Sequence, residues 1–126
     1  MICRHLRAAL PQALAIYAFG SRVQGTAGPQ SDLDLAVLVA GYAEPLQLWA
    51  LAGELADIAG CDVDLLDMRA ASIVMQHQVL TTGITLWSVG LEAGLYECYV
   101  LSAKTALDEA RAGLMADIAR EGKIYG

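Results

Sequence analysis

Short apolar runs alternate along the chain with longer stretches of helical periodicity. "ALAIYAF" (13–19), "DLDLAVLV" (32–39), "CDVDLLDM" (61–68) and "ITLWSV" (84–89) are brief, rich in aliphatic and aromatic residues, and set off by Gly, Pro or polar clusters. That is the pattern of strands. Residues Ile2 to Ala9 predict a short helix stopped near Pro11. "SRVQGTA" predicts one or two helical turns, followed by a Gly-Pro loop to Ser31. Glu44 and Pro45 open a further helix, because a proline at the first helical position loses no needed N–H. Leu48, Leu51, Leu55 and Ile58 form its apolar stripe and Gly60 its stop. "AASIVMQHQVLTTG" predicts a helix ending at Gly83. From Leu91 onward, Leu95, Tyr99, Ala103, Ala106, Ala110, Leu114 and Ile118 mark one face of a long helix, expected to turn toward the core. The tail "REGKIYG" is expected to lie outside it.

Strands alternating with helices predict an α/β (α+β) domain: a small mixed sheet flanked by helices, with a long C-terminal helix. The 126 residues suit a single domain, with its core in about 10–90 and the C-terminal helix and tail in about 91–126.

Composition narrows the function. The net charge of −6 argues against a surface that grips nucleic acid directly through its phosphates. A metal-complexed nucleotide is compatible with it, because the cation supplies the positive charge. Cys3, Cys61 and Cys98 are odd in number and widely spaced, which predicts free thiols in a reducing compartment. Arg4 and Arg7 before "AALPQALAIYAF" have the outline of an export signal, but Pro11 and Gln12 split the run. No apolar run approaches the ~18 residues of a membrane span. A cytoplasmic protein is expected.

The second strand segment carries its own puzzle, two aspartates in an apolar run. Alternate strand residues share a face, so Asp32 and Asp34 point the same way. Asp62 and Asp64 repeat the arrangement in the third strand, and Asp64 joins the first pair if the two strands are neighbours. Three carboxylates repel unless a cation joins them. Oxygen donors of this kind suit Mg²⁺ with substrate phosphates. Upstream, Gly20-Ser21 ends the first strand and opens a helix, where backbone N–H groups and a hydroxyl can receive an anion. A phosphate cradle facing a carboxylate cluster is the equipment of metal-dependent phosphoryl or nucleotidyl transfer.

Gly20-Ser21, ten residues, then Asp32-Leu33-Asp34, with Asp64 in "DVDLLD", resembles the signature of the DNA polymerase β-like nucleotidyltransferases. Over nearly its whole length the chain is similar to the minimal nucleotidyltransferase (MNT) antitoxins of the MntA type. The resemblance implies a toxin–antitoxin system whose antitoxin moves AMP from ATP onto a tyrosine of a HEPN-type ribonuclease toxin. It also implies roles for particular residues: Asp32, Asp34 and Asp64 as ligands of two Mg²⁺ ions, Gly20 and Ser21 as the hold on the terminal phosphates of ATP, and Asp64 as an aid to deprotonating the acceptor. Arg22, next to the serine, is a candidate phosphate contact. Two other functions fit the same motif: nucleotidyl transfer to a small-molecule hydroxyl, and neutralisation of a toxin by binding alone.

The remaining polar and aromatic residues read as structural. His77 is expected to be structural or solvated, Trp49 and Trp87 core or partly buried, and Tyr99 core. Tyr125 is the better candidate for contact with a partner. Asp62 is placed to assist the cluster, and Asp67 to point away or end its strand.

Overall fold

The computed structural model describes residues 2–25 and 32–125, with side chains to residue 119. Helix α1 (Ile2–Ala9) leads into β1 (Ala13–Phe19) and the single turn α2 (Ser21–Gln24). Strand β2 (Leu33–Val39), helix α3 (Pro45–Ala59) and strand β3 (Val63–Asp67) follow. A short 3-10 turn (Met68–Ala70), α4 (Ile73–Thr82), β4 (Ile84–Ser88) and α5 (Gly90–Tyr125) complete the chain. The loop expected before Ser31 lies outside the described residues, as does the Tyr125 side chain.

The four strands form one sheet in the order β3-β2-β1-β4. β1 pairs antiparallel with β2 and β4, whereas β2 and β3 run parallel. The parallel pair requires a crossover, and α3 supplies it. Its boundaries follow the sequence: Glu44 caps the start by accepting from Gln47 N at 3.0 Å, and Gly60 ends it in a left-handed conformation.

Alternation along the central strands feeds two cores. Ile16, Ala18, Leu35, Val37 and Val39 pack beneath α1 and α3 with Leu6, Leu48, Leu51 and Leu55. Ala15, Tyr17, Ala36 and Leu38 face the other way, onto Met68, Val79, Tyr96 and Val100. Helices therefore cover both faces of the mixed sheet. Cys3, Cys61 and Cys98 are free. Among the described residues no helix is long and apolar enough to cross a membrane.

Expectations for α5 and α3 are corrected. The long helix turns a different face inward: Ala93, Tyr96 and Val100 are buried, while Leu95, Tyr99, Leu114 and Ile118 are exposed. Tyr99 is thus 61% exposed and Tyr96 only 6%. The reason is tertiary: Tyr96 donates a hydrogen bond to Gln76 Oε1 on α4 and packs its ring under the Arg69 guanidinium. Trp49 is 79% exposed, because it lies off the Leu48/Leu51/Leu55 stripe that meets the sheet. Ile58 likewise sits at the rim of that stripe, 37% exposed. The last helix continues through the tail to Tyr125. Trp87 is half-buried, with Arg7 4.3 Å above its ring.

Candidate active site

The carboxylates gather at one end of the β1–β2–β3 layer. Asp34 lies within β2 and is the register partner of Asp64 on parallel β3. In-register neighbours on adjacent strands project from the same face. Asp32 precedes β2 and is exposed. Leu33 N donates to Asp62 O at 2.9 Å, which fastens the start of β2 to the start of β3 and brings Asp62 to the same end. The condition left open by the sequence, that the two aspartate-bearing strands be neighbours, is met.

Gly20 closes the site from the β1 side. Phe19 pairs with Asp34 across the antiparallel ladder, so Gly20 emerges beside that carboxylate. Its backbone, φ 81° and ψ −163°, occupies a region open almost only to glycine. A Cβ there would collide with Asp34 Oδ2. The glycine is thus required twice, by its dihedrals and by the neighbouring carboxylate. Ser21, half-buried, and Arg22, exposed, begin α2 immediately after it.

The electrostatics match this crowding. Burial first, then the charges of Asp64 and Asp32, push the proton affinity of Asp34 above the ordinary carboxylate range. A half-buried carboxylate between two others is the arrangement a cation relieves. Among the described residues no three His, Cys, Asp or Glu side chains converge closely enough to hold a metal ion as they stand. The donor chemistry nonetheless fits a hard divalent ion: every candidate ligand is an oxygen, and no thiol or imidazole stands among them.

Other expected residues fall elsewhere. His77 is half-buried on α4, within the electrostatic reach of Asp108 on α5. Asp67 ends β3, 7% exposed, and serves the backbone. Its Oδ2 accepts from Ala43 N at 3.0 Å and its Oδ1 from Arg69 N at 3.2 Å. Two features escaped the sequence reading. Asp67's tie to Ala43 spans 24 residues and has no local signal. Trp49 borders a groove that begins at Asp64, and its signal was its position off the apolar stripe of α3.

Comparison with known proteins decides the family. Residues 4–89 match the polymerase beta nucleotidyltransferase family. The chain belongs to that family. It is also 38% identical over 117 residues to the protein adenylyltransferase MntA of Shewanella oneidensis, covering 93% of this chain and 84% of that protein. A toxin–antitoxin crystal structure with AMP-PNP contains a chain of 38% identity that superposes with a TM-score of 0.82, over 93% of this chain and 94% of the other. A complex of tri-AMPylated Shewanella oneidensis HEPN toxin with MNT antitoxin gives 34% identity and a TM-score of 0.76, over 93% of this chain and 92% of the other. The chain is a nucleotidyltransferase by family, with the four-stranded sheet and long last helix described above.

Proposed function

We propose that this nucleotidyltransferase is the antitoxin of a toxin–antitoxin pair and transfers AMP from ATP to a tyrosine of a HEPN-type ribonuclease toxin. The observation that carries the chemistry is the contact of Gly20 with Asp34, with Asp64 in register beside it. Similarity to a protein adenylyltransferase and to chains solved with their toxins supports the acceptor. Exposed Leu95, Tyr99, Leu114 and Ile118 on α5 support a protein partner, since apolar surface of this kind is a common docking feature.

Asp32, Asp34 and Asp64 would hold Mg²⁺. When bound, the ion neutralises charge on the attacking and leaving oxygens. The missing side chain at Gly20 leaves the space beside Asp34 open to the phosphates, and Ser21 offers a hydroxyl donor to them. The acceptor oxygen forms a bond to the α-phosphorus of ATP. The bond from that phosphorus to the β-phosphate's bridging oxygen breaks, and pyrophosphate leaves. The acceptor proton passes to a carboxylate oxygen of Asp64. The protein supplies position and charge and forms no covalent intermediate.

Intact-mass spectrometry of the partner toxin after incubation with this protein, ATP and Mg²⁺ tests the reading. Additions of whole AMP units, absent with Asp34→Asn, are expected. A stable complex of the two proteins with no added mass would replace catalysis with neutralisation by binding.

A further inference from the structure

We infer that the distal half of α5 is a docking seam for an amphipathic helix of the toxin partner, one that carries carboxylates along one edge. The inference rests on the function proposed above and names the surface and the partner chemistry that hold the pair together.

The seam is the outward continuation of a buried stripe. Ala93, Tyr96 and Val100 seat α5 on the sheet. At helical spacing the same stripe passes through Ala103 and Leu107, both half-buried, to Ala110, Leu114 and Ile118, which are exposed. At about 100° per residue, Leu107, Ala110, Leu114 and Ile118 all point within about 40° of Tyr96. Leu114 and Ile118 are thus 60% and 51% exposed because the helix has run past the domain, not because they lie on its outer side. No polar residue from 107 to 118 falls within that arc. The bare stripe is about 16 Å long, enough for the ridges of a second helix to seat.

The two edges of the seam differ and assign the occupant. Lys104 and Arg111 stand about 60–80° to one side of it, whereas Ala106 and Gly113 flank the other as far as Asp117. Asp108 and Glu109 lie farther round, off the seam. Asp108 holds Lys104 Nζ at 2.7 and 2.8 Å, and an ammonium with three N–H donors has capacity for one carboxylate more. A second copy does not fit. Paired antiparallel about Ala110, two copies set Lys104 and Arg111 of one against the same basic edge of the other, which repels. Paired parallel, each helix runs upstream into the space over Tyr96 and Val100 that the sheet already fills. The occupant is therefore a helix of a different chain, with an apolar stripe of its own and acidic residues where it meets Lys104 and Arg111. Ala106 and Gly113 allow it close approach on the other edge.

Binding of the HEPN toxin to the full chain tests the seam. Its Kd is measured for wild type, Leu114→Ala, Arg111→Glu and Leu101→Ala. All three positions are exposed, so the variants fold, which circular dichroism checks. Leu114→Ala should raise the Kd about tenfold or more, as loss of a central anchor does, whereas Leu101→Ala, exposed but about 140° away from the seam, should stay within about twofold. Arg111→Glu should weaken binding more at low salt than at high salt. An unchanged Kd in Leu114→Ala overturns the inference, and tighter binding by Arg111→Glu overturns the acidic partner. A dimer of the chain alone, seen by light scattering and made monomeric by Leu114→Ala, would give the seam to a second copy instead. If wild type does not bind the toxin, the proposed function fails and the seam with it. If wild type binds the toxin but transfers no AMP, the chemistry fails alone, and the Leu114 result still decides the seam.

Discussion

Asp34 and Asp64 face each other in register across the parallel β2–β3 ladder, and the Asp34 carboxyl binds its proton more tightly than an ordinary aspartate as a result of burial and of that neighbour's charge. A carboxyl whose affinity is raised on folding stabilises the protein below its ordinary pKa, and that contribution is lost as pH rises through the raised value. Without a cation, the native state therefore carries an electrostatic cost at neutral pH. Asp34→Asn should raise the melting temperature of metal-free protein at pH 7, and the gain should vanish in acid, where the wild-type carboxyl is already neutral. Added Mg²⁺ should raise the wild-type melting temperature more than that of the variant. Thermal scans across pH, with chelator and with Mg²⁺, check all three.

Loss of Asp34 should remove activity even as it relieves the apo fold. Removal of a single group that stabilises transition-state charge costs on the order of 10²–10³ in rate. Asp34→Asn and Asp64→Asn should each lose at least that in kcat for AMP transfer, followed by radiolabelled ATP, with circular dichroism unchanged.

Gly20→Ala should fail in both respects at once. The backbone there costs a non-glycine residue about 1–3 kcal/mol, and the new methyl meets Asp34 Oδ2. Chemical denaturation should show destabilisation of that order. Transfer should fall by about a hundredfold or more, because relief of the collision moves a candidate ligand. The same change at Gly53, where a Cβ meets nothing within 4 Å, should leave the fold intact and serves as control.

Asp67 should behave as a structural acid, unlike the aspartates three and five residues before it. Its two oxygens accept from Ala43 N and Arg69 N near the β3 end. Asp67→Ala strands a buried N–H, at about 1–3 kcal/mol, beyond the bonds themselves. The variant should unfold earlier in urea, yet bind Mg·AMP-PNP with nearly wild-type affinity when folded.

Two tyrosines should titrate late. Burial, then the charge and hydrogen bond of Glu97, hold the Tyr17 hydroxyl far above its usual range, with the hydroxyl donating to Glu97 Oε1 at 3.0 Å. Burial pushes Tyr96 up to about 12. The stability tied to these neutral phenols is present below pH ~10 and lost as pH rises through their raised values. Absorbance at 295 nm should show two of the five tyrosines ionising only as the protein unfolds in alkali. Tyr17→Phe should cost about 0.5–1.5 kcal/mol of stability.

Much of this fold is written locally. Pro45 and Gly60 bracket α3 because each acts through its own backbone, and Ala13–Phe19 and Leu33–Val39 are apolar enough to be strands in any context. The spacing of Gly20, Asp32 and Asp34 is visible in the sequence for the same reason. What was not legible depends on distant partners. The phase of α5 cannot be read from a helix that is apolar on several sides; Gln76 and Arg69 choose Tyr96 over Tyr99. Alternation sets Asp67 apart from Asp62 and Asp64, but its partner Ala43, 24 residues away, has no local signal. Trp49 reads as core until the sheet meets the adjacent stripe.

The length of α5 has a further consequence. Its early turns are clamped by Ala93, Tyr96 and Val100, but from 101 to 119 no described side chain is fully buried. At ~1.5 Å per residue that exposed stretch extends about 28 Å. Its amide hydrogens are guarded only by helix–coil equilibrium, whereas those of the first turns open with the sheet. One continuous rod thus holds two free-energy regimes: a seated base that exchanges with deuterium slowly, and a distal segment that exchanges fast until something settles against it.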